Sequence, residues 1–139
     1  MADEPRCHVS ISTDPSRLDV DVIHGYLTRS YWAAGIPRHL VERSMRHSLC
    51  FGAFDGERQV GFARVISDRA TFAYVCDVFV LPSHRGRGVG KAIMAAIMGH
   101  RELQGLRRWT LFTRDAHELY RQFGFREGRY PERLMEAYP

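Results

Sequence analysis

The sequence predicts an α/β domain in which a mixed β-sheet carries helices on its faces, and three observations predict it. Apolar runs of strand length alternate with segments whose apolar residues recur at helical spacing. Asp55-Gly56 stands between two such runs, which is typical of a β-hairpin. A longer run ends at Pro82 and leads through a glycine-rich loop into an apolar segment. The chain has 139 residues, 45% hydrophobic and 26% charged, and we expect a single domain over residues 1–139.

The first half of the chain predicts a strand, two helices and a hairpin. Residues 7–12 alternate as a first strand, and Asp14-Pro15-Ser16 is expected to start a helix. The apolar positions of that helix are Leu18, Val22, Ile23, Tyr26 and Leu27. Residues 30–37 are expected to form a loop before a second helix, whose apolar face holds Leu40, Val41 and Met45. The hairpin strands are predicted at residues 49–54 and 60–66.

The second half predicts strands and helices in alternation. Residues 71–81 and 106–113 are strands, and residues 89–99 form a helix so apolar that it should be buried. Asp115 and Glu118 predict a capping box for a further helix, which Gly124 and Phe125 should end. One more strand is expected within residues 125–138. The predicted order is β-α-α-β-β-β-α-β-α-β.

Composition argues against several classes of function. Twenty Lys and Arg against sixteen Asp and Glu give a net charge of +4, but acids and bases are interleaved rather than clustered as nucleic-acid binding prefers. No apolar run approaches the roughly 20 residues of a membrane span. The N-terminus has no apolar signal core, so we expect a cytoplasmic protein. Cys7, Cys50 and Cys76 include no CxxC pair, and we predict no metal site.

The glycine-rich loop predicts an anion site at the start of a helix. Glycines let main-chain N–H groups approach a phosphate closely, and the helix dipole and nearby basic residues add positive charge. The spacing GxGxG does not match the dinucleotide fingerprint GxGxxG, and a P-loop would need other residues in place of Arg85 and Ala92. The pattern [RQ]-x-x-G-x-[GA] does fit. A diphosphate is therefore the expected ligand, with a glycine-rich structural turn as the alternative. His84, beside the loop, is expected on the surface.

Two motifs lie about thirty residues apart in the second half of the chain. The pattern V-x-P-x-x-R-G-x-G-x-G is matched by Val80, Pro82, Arg85, Gly86, Gly88 and Gly90. The pattern A-x-x-L-Y-x-x-x-G-F is matched by Ala116, Leu119, Tyr120, Gly124 and Phe125. With these motifs the chain resembles the GNAT superfamily of acetyl-CoA-dependent N-acetyltransferases. The resemblance runs from about residue 48 to about residue 126, and residues 1–47 match only in their two-helix organisation. One departure is Thr113, which stands where the family often has Asn.

The resemblance implies a GNAT-like acyl-CoA N-acyltransferase fold, with a largely antiparallel sheet in which two parallel strands splay apart. Acetyl-CoA, the acyl-donor cosubstrate, would lie between the strands at 71–81 and 106–113. The residues expected to bind it are Val78, Phe79, Val80, Arg85, Gly86, Arg87, Gly88, Val89, Gly90, Lys91, Thr113 and Tyr120. The Val80 N–H would polarise the thioester carbonyl, a donor worth about 3 kcal/mol in the transition state.

Two side chains are candidates for catalysis. The resemblance makes Tyr120 the general acid for the leaving thiolate, with core packing as the alternative. Asp77 is the candidate base, because it is the only acidic residue in the 71–81 run. The alternative for Asp77 is an ion pair with Arg64. An aromatic group lies in the region that lines the acceptor pocket of family members, with core packing again as the alternative: Tyr26, Tyr31 and Trp32.

The predicted function is N-acetyl transfer from acetyl-CoA to a primary amine, by direct attack through a tetrahedral intermediate. We expect the amine to belong to a small molecule. The alternatives are a protein N-acetyltransferase, a non-catalytic CoA-binding domain and a basic RNA-binding module. We expect no nucleic-acid partner and no membrane partner. The sequence leaves open the acceptor, the acyl-chain preference and the oligomeric state, with a homodimer among the alternatives.

Overall fold

A five-stranded β-sheet forms the centre of the computed structural model, which describes residues 8–138. The strands are β1 (Ser10–Ser12), β2 (Leu49–Asp55), β3 (Arg58–Ser67), β4 (Phe72–Val80) and β5 (Arg108–Leu111). They lie side by side in chain order, and every neighbouring pair is antiparallel except β4 and β5, which are parallel. The mixed sheet confirms the predicted fold class, and the hairpin at Asp55-Gly56 is confirmed between β2 and β3.

Four α-helices connect and cover the strands. They are α1 (Val20–Leu27), α2 (Arg38–Arg46), α3 (Val89–Met98) and α4 (His117–Arg121). Two parallel neighbours cannot be joined by a tight turn, and α3 provides the crossover from β4 to β5. The predicted burial of this helix is confirmed by Val89, Ile93, Met94 and Ile97.

Each face of the sheet has its own apolar core. The α3 core contains buried residues from the sheet and α3, with Leu103 and the α4 residue Tyr120: Phe51, Ala53, Val60, Ala63, Val65, Ala73, Val75, Val89, Ile93, Met94, Ile97, Leu103 and Tyr120. The α1–α2 core lies on the opposite face: Ile23, Leu27, Val41, Cys50, Phe62 and Phe79. Because both faces are covered, the central strands are apolar along most of their length rather than alternating with polar residues.

A β-bulge interrupts β4 at Asp77. Two residues of β4, Asp77 and Val78, stand opposite the single residue Ala63 of β3. Asp77 has a φ of +55°, a left-handed conformation that Asp adopts more readily than most residues. Strict alternation predicts Cys76 on the same face as Val78, and this is wrong. The bulge leaves Cys76 opposite Arg64, while Val78 packs against the α3 core.

Predictions at the two ends of the chain need correction. The strand expected within residues 125–138 is absent from the described residues, which form there only a 3-10 turn at Pro131–Arg133. Interspersed Arg, Glu and Pro give this segment no two-residue apolar alternation to support a strand. Asp14 likewise begins only the 3-10 turn Pro15–Arg17, and α1 starts at Val20. The first strand begins at Ser10, and Cys7 lies outside the described residues.

The predicted capping box of α4 is also wrong. Ala116, rather than Asp115, is the residue at the helix N-terminus, and no side chain caps it in the expected way. The hydroxyl oxygen of Thr113 instead accepts the Ala116 N–H at 3.0 Å. The other end matches the prediction, because Gly124 has a φ of +91° and Phe125 donates its N–H to the Tyr120 carbonyl at 3.2 Å.

Candidate active site

A cleft opens where the two parallel strands separate. β4 and β5 pair from Phe72 opposite Arg108 to Val75 opposite Leu111, after which β4 continues to Val80 paired only with β3. A cavity of about 1180 Å³ lies in this opening. Its lining comes from α1 and the following loop, the second half of β4, the segment after β5, and α4. The splayed pair of strands that the resemblance implies is therefore present.

The loop after β4 presents main-chain N–H groups that no described residue accepts. The Arg85 N–H bonds back within the preceding turn at 3.4 Å, and the Ala92 N–H bonds to the Gly88 carbonyl at 2.9 Å. Between these two, the amides of residues 86–91 have no acceptor in the part of the chain from 8 to 138. Gly86 and Gly88 have φ values of +75° and +81°, and a Cβ at either would meet open space. Such a row of amides at a helix N-terminus favours an anion.

The basic side chains near this loop point in different directions. Arg85 donates through Nε to the Val80 carbonyl at 3.0 Å and through Nη2 to the Tyr26 hydroxyl at 2.7 Å. Its guanidinium therefore turns from the loop towards the end of β4. Arg87 and Lys91 form no ion pair with another described residue, so their charges remain available beside the free amides.

His84 holds the beginning of the loop in place. The sequence predicts this residue on the surface, and that prediction is wrong. The residue is only 8% exposed. Its Nε2 lies 2.9 Å from Asp55 Oδ2, and its Nδ1 lies 2.8 Å from Ser83 Oγ. The hydrogen bond with His84 lowers the pKa of the Asp55 carboxyl. Because Asp55 ends β2, this network ties the loop to the neighbouring hairpin.

The main-chain N–H of Val80 points into the cleft. The next amide, that of Leu81, donates to the Val60 carbonyl on β3 at 2.8 Å. Successive N–H groups of an extended strand point to opposite sides, so the Val80 N–H points away from β3. On that side β5 has already diverged, and the amide is free for a ligand in the cleft.

Tyr120 lies at the boundary between the α3 core and the cleft. The residue is 8% exposed, its ring packs edge-on against Phe125 with centroids 6.1 Å apart, and it belongs to the cleft lining. Burial raises the pKa of the phenol to about 12. The hydroxyl therefore keeps its proton at neutral pH and can serve as a proton donor in the cleft.

Both carboxylate oxygens of Asp77 are engaged. Oδ2 accepts a hydrogen bond from Arg64 Nε at 2.8 Å, and Oδ1 accepts one from Trp32 Nε1 at 2.9 Å. Arg64 also donates through Nη1 to Ser48 Oγ at 3.1 Å. The ion pair that is the alternative to a base is thus present, and the role of Asp77 as base stays a prediction.

The thiols of Cys50 and Cys76 lie on either side of Arg64 in the neighbouring strands. Burial raises the pKa of Cys50 to about 11 and that of Cys76 to about 12. Since the thiolate is the reactive form, neither is a nucleophile at neutral pH. Both lie within apolar strands, where a thiol behaves as a small apolar residue.

The aromatic residues expected near the acceptor all line the cleft: Tyr26, Tyr31 and Trp32. Tyr26 also has the packing role that is the alternative, because its ring stacks on Phe79 with centroids 4.1 Å apart and planes 8° apart. The two hypotheses are compatible for this residue.

Among the lining residues that sequence analysis missed, three make contacts that shape the cleft. The Arg114 guanidinium lies 3.8 Å from the centroid of the Tyr31 ring. Phe112 and Tyr74 meet edge to face, with centroids 6.0 Å apart, and both line the cleft. Phe112 and Arg114 flank Thr113, which the resemblance places among the coenzyme-binding residues. The neighbours of Thr113 were therefore the signal that could have found them.

Two findings bear on other kinds of site. In the part of the chain from His8 to Tyr138, no three His, Cys, Asp or Glu side chains come together as a metal ion would require. Over the same residues, no helix has the length and apolar character needed to cross a membrane.

Comparison with known proteins decides the family. A family model described as an acetyltransferase (GNAT) domain matches residues 46–127, more than half of the chain. The chain belongs to the GNAT family of acetyltransferases. This GNAT chain is also 33% identical to a Gibberella zeae protein named as an acetyltransferase, FG08082, and the match covers 79% of this chain and 74% of that relative. The resemblance that the two motifs carry is therefore confirmed.

A solved structure and a second relative extend the comparison. A chain from Xanthomonas campestris pv. campestris, assigned to the GNAT family of acetyltransferases, has 57% sequence identity and a TM-score of 0.94, over 97% of this chain and 96% of that one. TAP1 of Glycine max, named as a histone acetyltransferase, is 36% identical over 50% of this GNAT chain, which spans only 30% of that relative.

Proposed function

We propose that this GNAT protein transfers an acetyl group from acetyl-CoA to a primary amine of a small molecule. The observation that carries the proposal is the row of free amides at residues 86–91, at the end of the cleft between β4 and β5. A diphosphate is the anion that such a row accommodates, since several oxygens can accept hydrogen bonds at once. Arg87 and Lys91 would add charge attraction from beside the row.

The rest of the coenzyme would follow the strand edge into the cleft. The exposed edge of β4 at residues 78–80 is the place for its amide-bearing arm, which can add to a sheet edge as an extended peptide does. The Val80 N–H would then donate to the thioester carbonyl oxygen, where negative charge develops during attack. Tyr120 would give its proton to the departing sulfur.

Attack requires an uncharged amine, so the amine must first lose a proton. Asp77 is the candidate base at the acceptor side, although Arg64 and Trp32 occupy both of its oxygens. A water molecule that passes the proton on is the alternative route. The pH dependence of an Asp77→Asn variant separates these routes, because only the first loses its titrating group.

The acceptor side of the cleft supports a small molecule. The loop between α1 and α2 is tied to β4 by the hydrogen bond from Trp32 to Asp77, which bounds the space above the strand. One observation favours a second candidate, transfer to a protein amine. TAP1, the relative that matches half of this chain, is named as a histone acetyltransferase.

Release of free thiol from acetyl-CoA tests the proposal. We expect release that depends on an added small primary amine, with the N-acetyl product identified by mass spectrometry. A lysine-containing peptide in the same assay tests the second candidate, and acetyl-CoA alone measures background hydrolysis. If coenzyme binds but no amine or peptide accelerates thiol release, the protein is a CoA-binding domain and the proposal is wrong.

A further inference from the structure

The indole of Trp32 is held in place by a carboxylate of the sheet. Trp32 is 41% exposed, in the loop between α1 and α2, and its Nε1 donates to Asp77 Oδ1. The Asp77 side chain is only 12% exposed and is fixed in turn by Arg64. A large, partly exposed ring is thus attached to the most constrained point of β4, the bulge with its positive φ.

The loop that carries Trp32 is itself well ordered by hydrogen bonds. Ser30 Oγ donates to the Leu27 carbonyl at 2.7 Å and accepts the Ala33 N–H at 3.1 Å, while the Gly35 N–H bonds to the Thr28 carbonyl at 2.8 Å. Such internal bonds keep the loop from collapsing into the cleft. The ring of Trp32 therefore forms a wall rather than a mobile flap.

Other aromatic rings extend this wall. Tyr31 meets Trp32 edge to face, with ring centroids 5.1 Å apart. The guanidinium of Arg114 lies over the Tyr31 ring. Tyr74 and Phe112, which also line the cleft, form a second edge-to-face pair. Phe112 is 59% exposed although it is large and apolar. We call the space bordered by these four rings the acceptor end of the cleft.

The charges around the acceptor end disfavour a ligand with many positive charges. Three arginines line the cleft, Arg29, Arg85 and Arg114, against two carboxylates, Asp77 and Asp115. One of these two carboxylates, Asp77, is already paired with Arg64. A polyamine or a lysine-rich peptide would therefore meet a surplus of like charge. A single amine on a flat apolar body would instead bury its body against the rings.

We propose that Asp77 is a positioning residue that holds Trp32 as a wall of the acceptor end, and that the acceptor is a primary monoamine carried on a flat, apolar group. The proposal rests on the proposed acetyl transfer, for which it names the substrate class. It gives Asp77 a task that does not require it to accept the proton of the amine.

Steady-state kinetics with three amines tests the substrate class. We expect 2-phenylethylamine to exceed both ethylamine and spermidine in kcat/KM by at least about tenfold, the factor that ring burial of about 1.4 kcal/mol provides. Equal or better use of spermidine or ethylamine would overturn the proposal. Because some amine is turned over in either case, this outcome differs from failure of the proposed function.

Two conservative variants test the positioning role. Trp32→Phe keeps a ring but removes the N–H, and should raise KM for 2-phenylethylamine about tenfold with little change in kcat, as expected for one lost hydrogen bond to a charged group. Asp77→Asn keeps an oxygen for the indole and tolerates the positive φ, but it removes the charge that pairs with Arg64. A positioning role therefore predicts a raised KM for 2-phenylethylamine, with kcat keeping the pH dependence of the unmodified protein. A loss of about 100-fold in kcat would make Asp77 the base instead.

Fluorescence gives a readout that does not depend on turnover. Trp109→Phe removes the other tryptophan of the chain, which lies beside Phe125 in the α3 core, and is the matched control for Trp32→Phe. In this variant, 2-phenylethylamine should quench the remaining fluorescence of Trp32 and spermidine should not. Binding without transfer would refute the proposed function alone, whereas transfer without any change in Trp32 fluorescence would refute the positioning role.

Discussion

The two ends of the cleft differ in the groups they offer to a ligand. At one end, which we propose binds the coenzyme and call the coenzyme end, consecutive main-chain amides of residues 86–91 have no acceptor among the described residues. At the acceptor end, the contacts belong to side chains such as Trp32, Asp77 and Arg114, which are far apart along the chain. Main-chain recognition depends on backbone conformation, so it needs glycine at particular points and little else. Side-chain recognition can be changed one residue at a time, so substitutions at the acceptor end need not disturb the loop at residues 86–91.

Substitution of Gly88 should have the largest effect of the predicted changes, because Gly88 lies within the row of amides proposed to bind the coenzyme. A glutamate there would be held in the left-handed conformation of Gly88, which costs an L-residue roughly 1–2 kcal/mol. It would also place a carboxylate beside the diphosphate. We expect Gly88→Glu to weaken CoA binding by more than about 100-fold, a loss of roughly 2.8 kcal/mol, in titration calorimetry.

Gly105, in the bend that precedes β5, provides a matched control. It has a φ of +73°, and a Cβ there would also meet open space. Gly105→Glu should therefore carry similar backbone strain and bind CoA as the unmodified protein does. A folded Gly88→Glu protein with undiminished affinity would contradict the main-chain account of the coenzyme end.

Removal of the Tyr120 hydroxyl should affect turnover and leave coenzyme affinity unchanged. Tyr120→Phe keeps the ring in the α3 core, and we expect kcat to fall about 100-fold, the lower end of general-acid effects. Because burial raises the pKa of Tyr120 to about 12, activity should show no decline from its ionisation below about pH 11. An unchanged kcat would leave Tyr120 with packing as its only role.

Alkaline pH should lower the free energy of unfolding, because two buried thiols lie in the sheet near the acceptor end. The thiols of Cys50 and Cys76 ionise at about 9.0 in the unfolded chain, whereas burial raises their pKa to about 11 and about 12 in the fold. Both states hold the proton below pH 9, so stability is full there. Above it the unfolded state ionises first, and stability should fall by up to about 1.4 kcal/mol per pH unit for each thiol.

Denaturation by urea at pH 8 and pH 10.5 measures this loss. The Cys76→Ala variant should lose less stability between the two pH values than the unmodified protein. An equal loss in both proteins would show that the thiol of Cys76 does not cause the loss of stability at alkaline pH.

The smallest effect should come from the helix that carries Tyr120. Thr113→Val removes the hydroxyl that accepts the Ala116 N–H, and should lower the free energy of unfolding by about 1 kcal/mol, a typical value for a lost cap. Asp115→Ala should change it by less than about 0.5 kcal/mol, because the Asp115 side chain accepts no N–H of α4 in the described part of the chain. The reverse order in thermal denaturation would restore the capping box that the sequence predicts.

Prediction from the sequence succeeded where a local signal had no competitor. The apolar runs of the central strands, the Asp-Gly hairpin and the glycine-rich loop each depend on neighbouring residues alone. It failed where two local signals competed. Thr113 and Asp115 are both good capping residues, and the path of the chain after β5 decides between them. The exposed tail at residues 125–138 has no apolar pattern to settle its conformation.

The sequence by itself determined the fold class and the glycine-rich loop, because glycine spacing and apolar periodicity act over a few residues. Only the tertiary structure decided what surrounds Asp77, since the bulge, Arg64 and Trp32 come together from three separate segments. It also decided that His84 is buried, through its contact with Asp55 on a neighbouring strand. The physical reason is the same in both cases. A side chain's partners across a sheet depend on strand register, and register depends on the whole set of packed elements.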